Sequence, residues 1–232
     1  MQIEFYHFLQ WLQIISLLLP IVLIYVTRTQ HHLLWLFAGY FMVHLLLELV
    51  VFFGEAAHFS VNTLRQLNTT INIINMFDGV GCIVIIHYAA SLGRFKNAAG
   101  VAALLLFTAE LLYALIVGVD STARSASYPV GVSLLVTFVF QLGWLYEHYN
   151  RHLYTRQQKA LLYLSIAMVI NYGASICPYV FIYLLDGTHS SYIQQNIIVI
   201  IPNIVYLVVA SIGIWMYSTK PAGQAVHWAD NS

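Results

Sequence analysis

The chain has 232 residues, carries no formal net charge and is 60% hydrophobic but only 8% charged. Ordinary soluble domains are about 25% charged, whereas here apolar runs of membrane-spanning length recur along the whole sequence. This composition predicts an all-α polytopic protein of the cell membrane, with the lipid bilayer as its first partner. It excludes a nucleic-acid-binding protein, which needs a basic patch or stripe.

Seven apolar segments of about 20 residues or more are predicted to cross the bilayer as one helical bundle. In chain order they cover 6–27, 32–53, 67–92, 98–118, 128–148, 159–185 and 191–217. Together they form a single domain over 1–220, followed by a disordered cytoplasmic tail over 221–232. Pro178 and Pro202 lie inside the last two spans. Proline usually kinks a membrane helix, so we interpret both residues as hinges.

The distribution of basic residues predicts the orientation of the bundle. Seven of the nine Lys and Arg residues fall on one side of the predicted spans, and only Arg65 and Arg124 fall on the other. The seven are Arg28, Arg94, Lys96, Arg151, Arg156, Lys159 and Lys220. The positive-inside rule therefore places the N-terminus outside and the C-terminus in the cytoplasm. The longer connections are predicted at Glu55–Gln66 and Glu147–Lys159.

The third span opens with a polar stripe on a helix that is apolar elsewhere. At 100° per residue, its members fall within about a third of the helix circumference. They are Asn68, Asn72, Asn75, Asp78, Gly79 and Cys82. A carboxylate inside a membrane helix is costly to keep, which makes Asp78 the strongest functional signal in the sequence.

Depth counting predicts that polar groups from several spans meet near the bilayer centre. At ~1.5 Å per residue, His44 and Asp78 lie ~15 Å below the outer ends of their spans and Glu110 ~12 Å below. An ionised carboxylate at this depth costs about 2.5–3.5 kcal/mol, and His44 is the only basic candidate partner inside a span. We therefore predict a proton-sharing cluster of His44, Glu48, Asp78 and Glu110. The full set of predicted ligand-binding or proton-relay residues is His44, Glu48, Asn72, Asn75, Asp78, Glu110, Asn171, Ser175 and Asn203.

Structural alternatives and known chemistries limit this interpretation. Polar side chains in membrane helices often only join helices, at about 0.6–2 kcal/mol per contact, and we interpret Asn68, Asn196, Ser165 and Ser211 in this way.

A retinal Schiff base needs a lysine within the bundle, and the chain has none there. His148 and His152 have i, i+4 spacing but are interpreted as a solvated helix end, so no metal or other cofactor is predicted. No hydrolase or phosphate-binding motif occurs, and an intramembrane enzyme is the least supported class.

The layout resembles seven-span receptors and small seven-span transporters in architecture, which alone implies no function. The leading hypothesis is a receptor-like sensor that binds a small molecule in the polar layer. It would signal to a cytoplasmic protein through residues 147–159. The alternative is a proton-coupled transporter of small solutes, with Asp78 and Glu110 as the relay and Pro178 and Pro202 as gating hinges. Homo-oligomerisation stays open under either hypothesis.

Overall fold

The computed structural model describes residues 2–27, 31–56, 60–120, 127–149, 156–184 and 192–218. The described residues form seven α-helices and no strand. The helices are α1 (Gln2–Val26), α2 (His32–Ala56), α3 (Val61–Ala89), α4 (Gly93–Ile116), α5 (Ser127–Tyr149), α6 (Arg156–Leu184) and α7 (Tyr192–Ser218). All seven are long and apolar enough to cross a membrane. This confirms the all-α prediction and the number of membrane-length helices. The orientation stays a prediction, and the tail over 221–232 lies outside the described residues.

The connections are shorter than the apolar segments indicated. α2 continues to Ala56. α3 already begins at Val61, because Ser60 caps its first turn. The Ser60 hydroxyl accepts the backbone N–H of Thr63 at 3.2 Å, which satisfies one of the free donors at a helix start. Asn68 is consequently an internal residue of α3, although the predicted third span began only one residue before it. Likewise α5 reaches Tyr149 and α6 begins at Arg156, so most of the predicted 147–159 connection is helical.

Six of the helices form a closed ring, and α4 lies outside it. Around the ring, each helix packs against the next in the order α1, α2, α3, α5, α6, α7 and back to α1. α4 packs mainly on α3 and touches α5 only slightly. The outward side of α4 exposes Leu104, Leu105, Leu115 and Ile116. This arrangement decides which helices can line an interior site.

The most extensive helix pair is α6 with α7, and a glycine explains their close approach. A Cβ added to Gly213 would lie 3.0 Å from the carbonyl oxygen of Ala160 and 3.2 Å from the backbone nitrogen of Leu164. Only a residue without a side chain allows this approach of one backbone to the other. The resulting core is apolar, with Phe37, Phe41 and Trp144 fully buried inside it.

One end of the bundle is defined by three contacts between helix termini. His31 packs edge-on against the Tyr217 ring. The Arg156 guanidinium lies 5.0 Å from the centre of the Trp215 ring. Glu147 of α5 accepts hydrogen bonds at the start of α4. We call this the Glu147 end. The predicted orientation would make it the cytoplasmic side.

Candidate functional site

A cavity of about 270 Å³ lies inside the six-helix ring. Every helix except α4 contributes to its lining. Helical spacing explains which side chains reach it, because residues three or four positions apart share one face of a helix. On α2 these are His44 and Glu48, and on α3 they are Asn75 and Asp78. The cavity therefore collects one face from each of six helices.

The centre of the site is the carboxylate of Asp78. His44 Nε2 donates to Asp78 Oδ1 at 2.8 Å, and the Tyr172 hydroxyl donates to Asp78 Oδ2 at 2.6 Å. The side chains of His44 and Asp78 keep 27% and 22% of their surface exposed, because they line the cavity. Tyr172 itself is 1% exposed. One carboxylate on α3 thus joins α2 and α6 through charge-assisted hydrogen bonds, which are stronger than neutral ones.

A second polar contact joins α1 to α2 at the cavity. Gln13 Nε2 donates to Glu48 Oε1 at 2.8 Å, and Gln13 is only 6% exposed. Our sequence interpretation did not select Gln13. The signal was present, since Gln10, Gln13 and Ser16 recur three residues apart on a largely apolar helix, and all three are buried. Three polar residues on one face of a membrane-length helix indicate a polar neighbour.

Seven of the nine predicted site residues line the cavity. They are His44, Glu48, Asn75, Asp78, Asn171, Ser175 and Asn203. Two others lie elsewhere. Asn72 Nδ2 donates to the carbonyl oxygen of Asp120, just beyond the end of α4, at 3.0 Å. Glu110 is on α4, outside the ring, and does not line the cavity. Depth counting gives the height of a residue in the bundle, but not the direction that its helix faces.

The predicted four-residue cluster is therefore divided. His44 and Asp78 are in direct contact, and Glu48 is bonded to Gln13. Glu110 is 2% exposed and lies near the Ser133 hydroxyl of α5, but neither of its carboxylate oxygens forms a hydrogen bond of good geometry with a described residue. Three of the four groups share the cavity, and the fourth is buried apart from them. No group of three or more His, Cys, Asp or Glu side chains in the described part of the chain is arranged to hold a metal ion.

The polar stripe of α3 is also divided, because part of it faces α5. A Cβ on Gly79 would overlap the Ser133 hydroxyl and lie 2.6 Å from Thr137 Oγ1. One turn further on, the Gln141 side-chain amide contacts the Cys82 sulfur. Asn75 and Asp78 belong to the cavity, whereas Gly79 and Cys82 form the close α3–α5 contact.

Two tyrosines complete the site and were missed. Tyr172 and Tyr206 line the cavity beside Asn171 and Asn203. Tyr172 directly follows Asn171, and Tyr206 lies three residues after Asn203 on the same face of α7. This spacing was the signal in the sequence that could have identified the two tyrosines. Pro202 lies inside α7 next to Asn203, and the side chain of Pro178 lies outside the described residues. The hinge role of both prolines stays a prediction.

The other polar residues that we had interpreted are placed differently. Ser165 and Ser211 donate to carbonyl oxygens of their own helices rather than across helices. His148 is 3% exposed, so the interpretation of a solvated helix end is wrong for this residue, and its neighbour Glu147 is only 5% exposed. His152 lies outside the described residues.

Glu147 stabilises the start of α4. Its Oε1 atom accepts the backbone N–H groups of Ser91 and Leu92, each at 2.9 Å, and also the Ser91 hydroxyl. A carboxylate at a helix N-terminus satisfies free donors and complements the helix dipole. This residue therefore ties the end of α5 to the α3–α4 connection.

Fold and site together define an all-helical bundle with seven membrane-length helices, consistent with a multi-pass membrane protein, and an internal polar cavity. Comparison with protein-family models, with curated proteins and with solved structures finds no match. The function therefore has to follow from the chemistry of the cavity.

Proposed function

We propose that the protein is a receptor-like sensor of the cell membrane, which binds a small ligand in the six-helix cavity and signals to a cytoplasmic partner. The observation that carries this proposal is the Asp78 bridge, in which one carboxylate holds His44 of α2 and Tyr172 of α6. A ligand that competes for Asp78 changes the contacts among three helices at once. A ligand can shift the populations of two arrangements of these helices only if it binds one arrangement more tightly than the other.

The size and lining of the cavity support a small ligand. About 270 Å³ lies just below the range of about 300–1,000 Å³ typical of drug-sized ligand sites. The lining combines apolar side chains such as Leu17 and Leu134 with several amides and two carboxylates. Such a mixture favours a ligand with one apolar part and a few groups for hydrogen bonding.

The path to the partner runs along α3 and α5. α3 carries Asp78 and ends beside Ser91, which Glu147 of α5 holds at the Glu147 end of the bundle. A shift of α3 at the cavity is therefore transmitted to the contact between α5 and the start of α4. The cytoplasmic partner docks in this proposal on residues 147–159, where Arg156 and Lys159 supply positive charge.

The proposed function is tested by ligand binding to the purified protein in lipid nanodiscs. A panel of small amines, amino acids, carboxylates and sugars is screened for a shift in thermal unfolding. A ligand at about 100 times its Kd stabilises the protein by about 2.7 kcal/mol. Asp78→Asn should abolish the shift and Glu110→Gln, a matched change outside the ring, should keep it. A panel without any Asp78-dependent ligand would contradict the proposal.

A second candidate is a proton-coupled transporter of small solutes. It is favoured by the pairing of two titratable groups, His44 and Asp78, within an apolar bundle, and by Pro202 next to the cavity residue Asn203. Because Glu110 lies apart, this version places the proton relay on His44 and Asp78. Solute flux into liposomes that depends on a pH gradient, and that is lost in Asp78→Asn, would favour the transporter. A sensor gives no flux.

A further inference from the structure

The charged groups of the cavity already have partners. His44 and Asp78 contact each other at 2.8 Å, so this pair carries no uncompensated charge. The Tyr172 hydroxyl donates to the second Asp78 oxygen, and Glu48 accepts from Gln13. Charge in a low-dielectric interior is unfavourable unless it is compensated, and a charged ligand would have to displace one of these partners to be compensated itself. The cavity therefore favours a ligand without net charge.

The unused hydrogen-bonding groups of the cavity are side-chain amides. Asn75 of α3, Asn171 of α6 and Asn203 of α7 line it, and none of their amide groups forms a hydrogen bond with a described residue. Each amide offers two N–H donors and one carbonyl acceptor. An unpaired polar group inside an apolar bundle is unfavourable. The cavity therefore calls for a partner that both donates and accepts hydrogen bonds.

The lining also has an apolar part, which water does not complement. Leu17, Leu134 and Leu207 line the cavity together with the amides. Removing such side chains from water is favourable, so a ligand with a carbon chain gains over water alone. The volume of about 270 Å³ corresponds to about nine waters at ~30 Å³ each. This space accommodates one polar group with a short carbon chain.

Two of the amides flank the Asp78 bridge. Asn75 lies three residues before Asp78 on the same face of α3, and Asn171 directly precedes Tyr172. A molecule bonded to both amides therefore lies beside the hydrogen bond between Tyr172 and Asp78. Its N–H groups compete for that carboxylate without displacing His44, because His44 binds the other Asp78 oxygen.

We propose that the ligand of this cavity is a small neutral carboxamide with a short carbon chain. Its carbonyl oxygen accepts from the amides of Asn75 and Asn171, and its N–H groups compete with the Tyr172 hydroxyl for Asp78. A carboxamide carries donors and an acceptor in one planar group, which matches what the asparagine amides offer. This inference rests on the proposed ligand-binding function and specifies the chemical class of the ligand.

The test compares four molecules of nearly the same shape. Propionamide is neutral and has N–H donors, butanone has a methyl group in place of the amino group, and propionate and propionamidinium carry opposite charges. Each is titrated at neutral pH into the protein in phosphatidylcholine nanodiscs. Binding is followed by saturation-transfer NMR and by the shift in thermal unfolding. Propionamide should bind about tenfold or more tightly than butanone, which lacks both N–H donors, and more tightly than either ion.

Two variants assign the binding to the amides. Asn75→Leu and Asn171→Leu keep a similar volume but lose the hydrogen-bonding groups, and each should weaken propionamide binding about threefold or more. Because neither amide is bonded to a described residue, both variants should unfold at a temperature no lower than the parent protein does. Asn72→Leu is the matched control. Asn72 bonds to the carbonyl oxygen of Asp120 and does not line the cavity, so this variant should bind propionamide like the parent protein.

The outcomes separate the carboxamide assignment from the function beneath it. If butanone binds as tightly as propionamide, or if either ion binds more tightly, the assignment is overturned, and the ligand-binding function stands where that binding depends on Asp78. Propionamide binding that both leucine variants leave unchanged overturns the assignment, and so does a lower unfolding temperature in both, since the amides would then join helices. If no probe binds, the carboxamide assignment is also overturned, and the ligand-binding function is judged on the wider panel of small molecules.

Discussion

The contact between His44 and Asp78 carries the proposed function, and its coupling energy can be measured directly. The imidazole and carboxylate are 2.8 Å apart and only partly exposed. A hydrogen bond to a charged group contributes about 1.5–3 kcal/mol. Polar contacts that merely join membrane helices average about 0.6 kcal/mol in double-mutant cycles, with a maximum near 1.7. We expect a coupling of about 1.5–3 kcal/mol for this pair, well above the average helix-joining contact.

The assay is a double-mutant cycle with His44→Ala, Asp78→Ala and the double variant. The free energy of unfolding is measured in mixed micelles by denaturant titration. The Asp78→Ala change also releases the Tyr172 hydroxyl, but this effect occurs on both sides of the cycle and cancels. A parallel cycle with His44→Ala and Asn75→Ala is the control, because Asn75 lines the same cavity on the same helix, and its coupling should be near zero. A His44–Asp78 coupling at or below about 0.6 kcal/mol would refute the reasoning.

Four further substitutions give predictions about stability. Gly79→Ala should destabilise the bundle by about 1–3 kcal/mol, because its Cβ would overlap the Ser133 hydroxyl. Gly81→Ala has no atom within 4 Å of its Cβ and should be neutral or stabilising by up to about 1 kcal/mol. Glu147→Ala should cost about 1–3 kcal/mol and speed amide hydrogen exchange at the start of α4, since two N–H groups lose their acceptor. Glu110→Leu should stabilise by about 1–3 kcal/mol, because it removes a buried carboxylate whose oxygens form no hydrogen bond of good geometry with a described residue.

Each of these measurements has a contradicting result. Equal effects of alanine at Gly79 and Gly81 would mean that α3 and α5 do not approach closely at Gly79. Unchanged exchange at Ser91 and Leu92 in Glu147→Ala would remove the proposed link between α5 and α4. A loss of stability in Glu110→Leu would show that this carboxylate makes a favourable interaction in the folded protein.

Much of the fold could be predicted from the sequence. Hydrophobicity is a local property of each segment, so seven membrane-length helices were recognisable without any knowledge of their neighbours. The ends were less accurate. The first two turns of α3 mix Val61, Leu64 and Leu67 with polar residues and so do not read as a continuous apolar segment, but Ser60 supplies the cap that lets the helix begin there.

The sequence predicted how far along each helix the site residues lie, but not which neighbouring helix their side chains face. Counting along each helix placed Asp78, Glu110 and His44 at similar depth, because the rise per residue is constant. It did not reveal that α4 lies outside the ring, which separates Glu110 from the other two. It also overlooked Gln13 and Tyr172, since a polar group on an otherwise apolar helix gains its meaning from the residue it faces.

The amino-acid pattern accordingly determined the class of fold, the number and length of the helices and the approximate level of the polar groups, all of which depend on composition and helical geometry within one segment. The tertiary structure alone decided the order of helices around the cavity, the Asp78 bridge between α2 and α6, and the role of Glu147 at α4. These features depend on close approaches between remote segments, such as Gly213 against Ala160 and Gly79 against Ser133. Side-chain volume at those few contacts, rather than hydrophobicity along the chain, sets which helix faces meet.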